Sequence, residues 1–151
     1  MNEIGAELHA IKAAGLYRSL RTSPGKCVCS NDYLGLARDE RVRAAIVDAL
    51  NSGVPHGSTG SRLLAGHHEE FDALEAAFAR WQGSEAALFF GSGYAANLGL
   101  LTALFDEKTV VISDELNHAS IIDGVRLTKA TRKVVPHLDL DAYDQALKEY
   151  R

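Results

Sequence analysis

A short apolar run from Ala86 to Phe90 leads into Gly91-Ser92-Gly93 and then into an apolar helical stretch from Tyr94 to Leu104. A strand that turns through glycines into a helix leaves the first N–H groups of that helix unpaired at its positive end. Such a place suits an anion, usually a phosphate. The bland alternative is an ordinary strand-to-helix turn. The same residues read as Gly91-x-Gly93-x-x-Ala96, and with Asp114 behind the next apolar run they also satisfy a dinucleotide fingerprint. A serine-hydrolase elbow fits less well, because Phe90 stands where the first glycine of G-x-S-x-G belongs. His118 follows a strand end and precedes a helix. From there an imidazole can stack on a flat cofactor, exchange protons near neutral pH, or merely cap the helix.

Other polar groups divide between chemistry and structure. Arg62 sits among small residues between Gly57 and Gly66, where it can clamp a carboxylate or phosphate or pair with an internal acid. Arg18 and Arg21 fall late in an amphipathic first helix, where solvation is the default. His67 and His68 open a helix and read as solvent-facing, with no third ligand to suggest a metal. Cys27 and Cys29 fall in an expected strand; at that spacing they point the same way but are poorly placed for a mutual disulfide, and read as reduced thiols.

The elements that must position these groups follow from periodicity. Residues 1–20 place Ile4, Leu8, Ile11 and Leu16 on one stripe of a helix, and Thr22-Ser23-Pro24-Gly25 breaks it before a short strand from Lys26 to Ser30. Asp39 caps a helix with Val42, Ala45, Ile46, Ala49 and Leu50 on one face, and Gly53 takes its C′ position. Glu69, Glu70 and Asp72 open the next helix, which stops at Gly83. Strands then alternate with helices: Ala86 to Phe90, Thr109 to Ser113 and Arg132 to Pro136, with helices at Tyr94 to Leu104, Ala119 to Leu127 and a last one capped by Asp139. That alternation implies an α/β fold with a parallel sheet.

The 151 residues are 46% hydrophobic and 24% charged, too apolar for a disordered chain, and a net charge of −4 argues against nucleic acid as the main partner. No run approaches the ~18 apolar residues of a membrane span, and the N-terminus lacks a signal-peptide core. A soluble, cytoplasmic protein is expected.

Four segments stand in order along the chain: Ser30-Asn31-Asp32-Tyr33-Leu34-Gly35-Leu36, Gly57-Ser58-Thr59-Gly60-Ser61-Arg62 with Gly66, Ser92-Gly93-Tyr94-Ala95-Ala96-Asn97, and Asp114-Glu115-Leu116-Asn117-His118-Ala119-Ser120. Together they resemble the amino-terminal part of the α-oxoamine synthase family, pyridoxal-phosphate enzymes of the aspartate-aminotransferase-like fold. The resemblance decides against the dinucleotide reading, which explains only one of the four segments. It implies a three-layer, parallel-sheet large domain, incomplete here, with residues 1–38 as an N-terminal helix and strand arm and 39–151 as the first part of the cofactor-binding domain.

By the same resemblance the cofactor is pyridoxal 5′-phosphate. Ser92, Gly93 and Tyr94 would hold its phosphate, the latter two through backbone N–H groups, and His118 would stack on its ring and help position substrate. Asn31 would hold the amino acid, and Arg18 or Arg21, with Arg18 preferred, the acyl substrate. The loop from Gly57 to Gly66 would lie at a homodimer interface. The implied reaction is a decarboxylative condensation of an amino acid with an acyl-CoA or acyl-carrier-protein thioester. Residues 57–64 most resemble family members that would take L-alanine with a pimeloyl thioester, while residues 117–126 equally resemble those that would take glycine with acetyl-CoA. Lys12, Lys26, Lys108, Lys129, Lys133 and Lys148 are present, but none stands in the context of the family's cofactor-anchoring lysine. The expectation is that this stretch alone is inactive, as part of a longer enzyme or as a non-catalytic remnant.

Overall fold

The computed structural model describes residues 3–20, 22, 25 and 27–151. Packing divides the chain into two units, Met1–Gly57 and Ser58–Arg151.

In the first unit, helix α1 spans Glu3–Ala13. Gly15, at φ +70°, ends it. The Gly15 N–H donates to the Lys12 carbonyl at 3.1 Å and the Leu16 N–H to the Ile11 carbonyl at 3.0 Å, a Schellman closure that only a left-handed residue permits cheaply. The helical stripe expected to reach Leu16 therefore ends a turn sooner. Arg18 lies beyond the helix rather than late in it, and Arg21 falls outside the described residues. The strand expected from Lys26 to Ser30 is also not formed. Lys26 lies outside the described residues, Val28 and Cys29 form a bend, and no strand among the described residues of this unit is there to pair with them. A 3-10 turn, Leu36–Arg38, leads to α2 (Glu40–Asn51). Asp39 caps α2 as expected, accepting the Arg41 N–H at 2.8 Å, and Gly53 closes it at φ +89°.

The second unit is an α/β layer. Its elements are α3 (Glu69–Gln82), α4 (Gly93–Leu104), β1 (Val110–Asp114), α5 (Ala119–Leu127), β2 (Thr131–Val135) and α6 (Leu140–Glu149). β1 and β2 pair in parallel from Val110↔Thr131 to Asp114↔Val135, with α5 as the crossover. One backbone bond and several side-chain bonds prolong this ladder past its last pair. The Glu115 N–H donates to the Val135 carbonyl at 3.0 Å, the His137 N–H donates to Glu115 Oε1 at 3.0 Å, and His137 Nδ1 lies 3.0 Å from each Asp114 carboxylate oxygen.

The third expected strand, Ala86 to Phe90, has no ladder. A strand is defined by its neighbour, and here the Phe89 N–H is taken instead by a side chain, Glu75 Oε1, at 2.7 Å. Among the described residues, the buried apolar side chains are Ala79, Val125, Val135 and Ala146, and Ser113 and Ser120 are buried as well. Helix α4, apolar on nearly every side, leaves Leu100 and Leu104 exposed. Its close contact is with α5: a Cβ on the buried Gly124 would come within 2.7 Å of Leu101 Cδ1 and 3.4 Å of the Asn97 carbonyl oxygen. Among the described residues no helix is long and apolar enough to cross a membrane.

Candidate functional site

The N-terminus of α4 carries the groups best suited to an anion. Ser92 is its N-cap, in extended backbone, and its Oγ accepts the Ala95 N–H at 3.1 Å. The Ala96 N–H donates to the Ser92 carbonyl at 3.0 Å. The Gly93 and Tyr94 N–H groups come before any carbonyl the helix can offer them, so they face outward at its positive end. Neither Gly91 nor Gly93 has a positive φ, so the turn itself does not require glycine. What glycine provides is room: a Cβ at either position would meet nothing within 4 Å, and at Gly93, in the helix, a side chain would lean toward the N-terminal end where the two free amides lie. Donor type, charge and space together fit a phosphate.

The Tyr94 side chain turns toward α5. Its hydroxyl donates to Asp123 Oδ2 at 2.6 Å, and that carboxylate, aided by desolvation, holds the phenol above its ordinary pKa. Beside the cap lies an apolar cavity of about 220 Å³ lined by Phe78, Leu88, Phe90, Ser92, Gly93 and Ala96, among others.

His118 is the N-cap of α5, with Nδ1 accepting the Ser120 N–H at 3.2 Å. The Ser120 hydroxyl lies 2.7 Å from the same nitrogen, and Asn97 Nδ2 donates to Ser120 Oγ at 2.8 Å. Ser120 has no exposed surface, so these bonds form where water does not compete. The segment before His118 is tied down as well. Asp114 Oδ1 accepts the Leu116 N–H at 2.8 Å, and Asn117 Nδ2 donates to Ser113 Oγ at 3.0 Å. The Leu116 N–H, with the His137 imidazole behind it, holds the Asp114 carboxyl below the usual carboxylate range.

Arg62 takes the structural role of the two open to it. Its guanidinium forks onto Glu75, Nη1 to Oε1 at 2.6 Å and Nη2 to Oε2 at 3.1 Å, and lies 4.6 Å over the Phe71 ring. His68, expected to face solvent, is half-buried with its ring 4.7 Å from Phe71. The Arg62 bonds, followed by the Phe89 N–H, lower Glu75 to about 2. A carboxylate depressed in the folded state stabilises the fold fully above its unfolded pKa of about 4.3, and that contribution is lost as pH falls from there toward the folded value. A Glu75→Gln variant is therefore expected to melt several degrees lower at neutral pH. The gap to the wild type narrows as pH drops from about 4.3 toward 2. Thermal unfolding across that pH series checks it; a gap independent of pH would mean that the ion pair does not carry the stability.

Ser92, Gly93, Tyr94 and His118 all belong to the second unit, where α4 and α5 are bonded through Tyr94–Asp123 and Asn97–Ser120. Arg18 and Asn31 belong to the first unit and are exposed. Sequence reasoning gave no role to Asn97, Ser120 or Asp123. The available signal was a polar side chain at an inward position of an otherwise apolar helix, which names the residue but not its partner 23 positions away.

Residues 27–151 match the family described as aminotransferase class I and II. The chain is 44% identical, over 98% of its length, to 8-amino-7-oxononanoate synthase of Geobacter sulfurreducens. It is 49% identical, over 91% of its length, to the enzyme of that name from Anaeromyxobacter sp. strain K. Among solved structures it superposes on serine palmitoyltransferase of Sphingomonas wittichii with a TM-score of 0.78 at 30% identity, over 97% of this chain and 40% of that one. With 8-amino-7-oxononanoate synthase of Francisella tularensis the TM-score is 0.64 at 30% identity, over 78% of this chain and 32% of that one. The chain spans 41% of the Geobacter relative and 38% of the Anaeromyxobacter one.

Proposed function

The chain belongs to the aminotransferase class I and II family, and from that premise we propose that it binds pyridoxal 5′-phosphate and serves a decarboxylative condensation of L-alanine with a pimeloyl thioester, giving 8-amino-7-oxononanoate for biotin synthesis. The observation that carries this reading is the 41–49% identity to relatives bearing the synthase name, over 91% or more of the chain.

In this reading the Gly93 and Tyr94 N–H groups donate to the cofactor phosphate, and Ser92 keeps them available by capping the amide after them. His118 lies against the pyridine ring and orients the substrate. Asn31 holds the amino acid, and Arg18 or Arg21 the acyl substrate. Pyridoxal phosphate, when bound, supplies the electron sink for bond breaking at the amino acid's Cα; the protein's part is to fix its orientation and surroundings.

The reading includes a second copy of the chain seated on the loop from Gly57 to Gly66. Leu63 and Leu64 are 94% and 88% exposed on a loop held by its own bonds, and apolar side chains displayed that way favour a protein partner. It also places the reaction in the cytoplasm, where Cys27 and Cys29, both free thiols, stay reduced.

The test is thiol release by the full-length protein. Turnover of L-alanine with pimeloyl-CoA, accompanied by carbon dioxide, is expected. Turnover only of glycine with acetyl-CoA, or of L-serine with palmitoyl-CoA, would move the protein to another reaction of the same type. No turnover of any pair would remove the reading.

A further inference from the structure

The bonds around His118 have a polarity that can be worked out from one end. The Ser120 backbone N–H can only donate, and it points at His118 Nδ1 from 3.2 Å. Nδ1 must therefore offer a lone pair. The Ser120 hydroxyl sits 2.7 Å from the same nitrogen, and two lone pairs do not approach that closely without a proton between them. The hydroxyl is thus the donor. Its oxygen then has only acceptor capacity left, which requires Asn97 to present its NH2 group, as the 2.8 Å contact from Nδ2 does. The amide orientation of Asn97, the rotor of Ser120 and the tautomer of His118 are three separate choices in general. Here the backbone amide sets the sense of all three, and the 2.7 Å hydroxyl bond, shorter than the 3.2 Å amide contact, is the one that holds it.

We propose that Ser120 and Asn97 are positioning residues that hold the proton of neutral His118 on Nε2, so that the imidazole offers a bound substrate a hydrogen-bond donor and not a base. The order is Asn97 N–H to Ser120 Oγ, Ser120 O–H to His118 Nδ1, with Nε2–H at the outer end. Because Ser120 is fully buried, water cannot substitute for the hydroxyl when it is removed. Asn97 lies on α4, four residues past Gly93, so the helix that carries the free amides also sets the protonation pattern of the ring. The consequence for substrate rests on the role proposed above for His118; the tautomer itself does not.

The experiment is ¹⁵N NMR of the full-length protein labelled at histidine, at alkaline pH where the ring is neutral, with the His118 signals identified by their loss in His118→Gln. The wild type is expected to show a pyridine-type nitrogen at Nδ1 and a protonated one at Nε2. Ser120→Ala is expected to lose most of that preference. Asn97→Asp replaces the terminal donor by a carboxylate that can only accept. The Ser120 proton then turns toward Asp, and the His118 proton is expected to shift toward Nδ1. A wild type protonated on Nδ1 overturns the proposal, as does retention of the Nε2–H form in both variants. The wild-type spectrum decides even if a variant does not fold. Titration with pyridoxal phosphate separates the two readings: unchanged cofactor affinity in His118→Ala removes the stacking role and leaves the tautomer assignment standing.

Discussion

A Gly93→Val variant of the full-length protein is expected to bind pyridoxal phosphate at least about a hundred-fold more weakly than the wild type, at two lost charged hydrogen bonds of roughly 1.5–3 kcal/mol each and about 1.4 kcal/mol per decade of affinity. The reason is local. Ser92 satisfies the Ala95 amide, which leaves the Gly93 and Tyr94 amides as the donors for an outside anion. The space a Cβ would occupy at Gly93 is empty, so an isopropyl group enters it without disturbing the helix and covers the two donors. Gly93 does not have a positive φ, and valine is tolerated by the backbone there. Equilibrium dialysis, or titration of the cofactor's absorbance, reads the loss, with circular dichroism confirming an intact fold. An unchanged affinity would place the phosphate elsewhere and undo the site.

Gly66→Ala is expected to act on stability, by about 2–4 kcal/mol, the range for a backbone clash that cannot relax by a side-chain rotation. A Cβ at Gly66 would lie 1.9 Å from the Gly60 carbonyl oxygen and 2.7 Å from its carbon, both backbone atoms. The loop has little freedom to yield. Leu64, Ala65 and Gly66 all donate to the Ser61 carbonyl, at 2.9, 3.1 and 2.9 Å, and Ser58 Oγ donates to the Gly66 carbonyl at 2.9 Å. Displacing this turn also displaces Arg62, and with it the fork onto Glu75. Denaturant unfolding of the full-length protein reads the change; a midpoint equal to the wild type would show that the close approach opens at no cost.

The parts of this architecture legible in the sequence are those decided by a few neighbouring residues. Asp39 and Asp139 as caps, Gly53 as a helix stop, and the βαβ alternation from Thr109 to Pro136 each follow from local chemistry or short periodicity. Local pattern misleads where a distant group or a single glycine decides. Leu16 fits the α1 stripe by spacing, yet Gly15 ends the helix before it. Ala86 to Phe90 has the composition of a strand, but Glu75, fourteen positions from Phe89, takes the amide that a ladder would need. Arg62 was ambiguous for the same reason, since its partner lies thirteen positions on. In the candidate site, the glycine turn through 91–93 into a helix is legible, though Ser92 as its cap is not. Nor are the bonds from Asn97 and Asp123 that join α4 to α5, because no local pattern announces a pairing across two helices.

The bonds that prolong the β1–β2 ladder make the sheet intolerant of registry error. A parallel pair of five residues could in principle slide, and a one-residue slip turns every side chain to the opposite face. Here a slip would separate Glu115 from Val135 and His137 from both Asp114 and Glu115 together, and would rotate Ser113 out of the interior where it anchors Asn117. No single bond among these is strong. Acting jointly at the carboxyl end of the strands, they work as a proofreading device: only the correct alignment closes all of them, and only that alignment delivers His118 to its place.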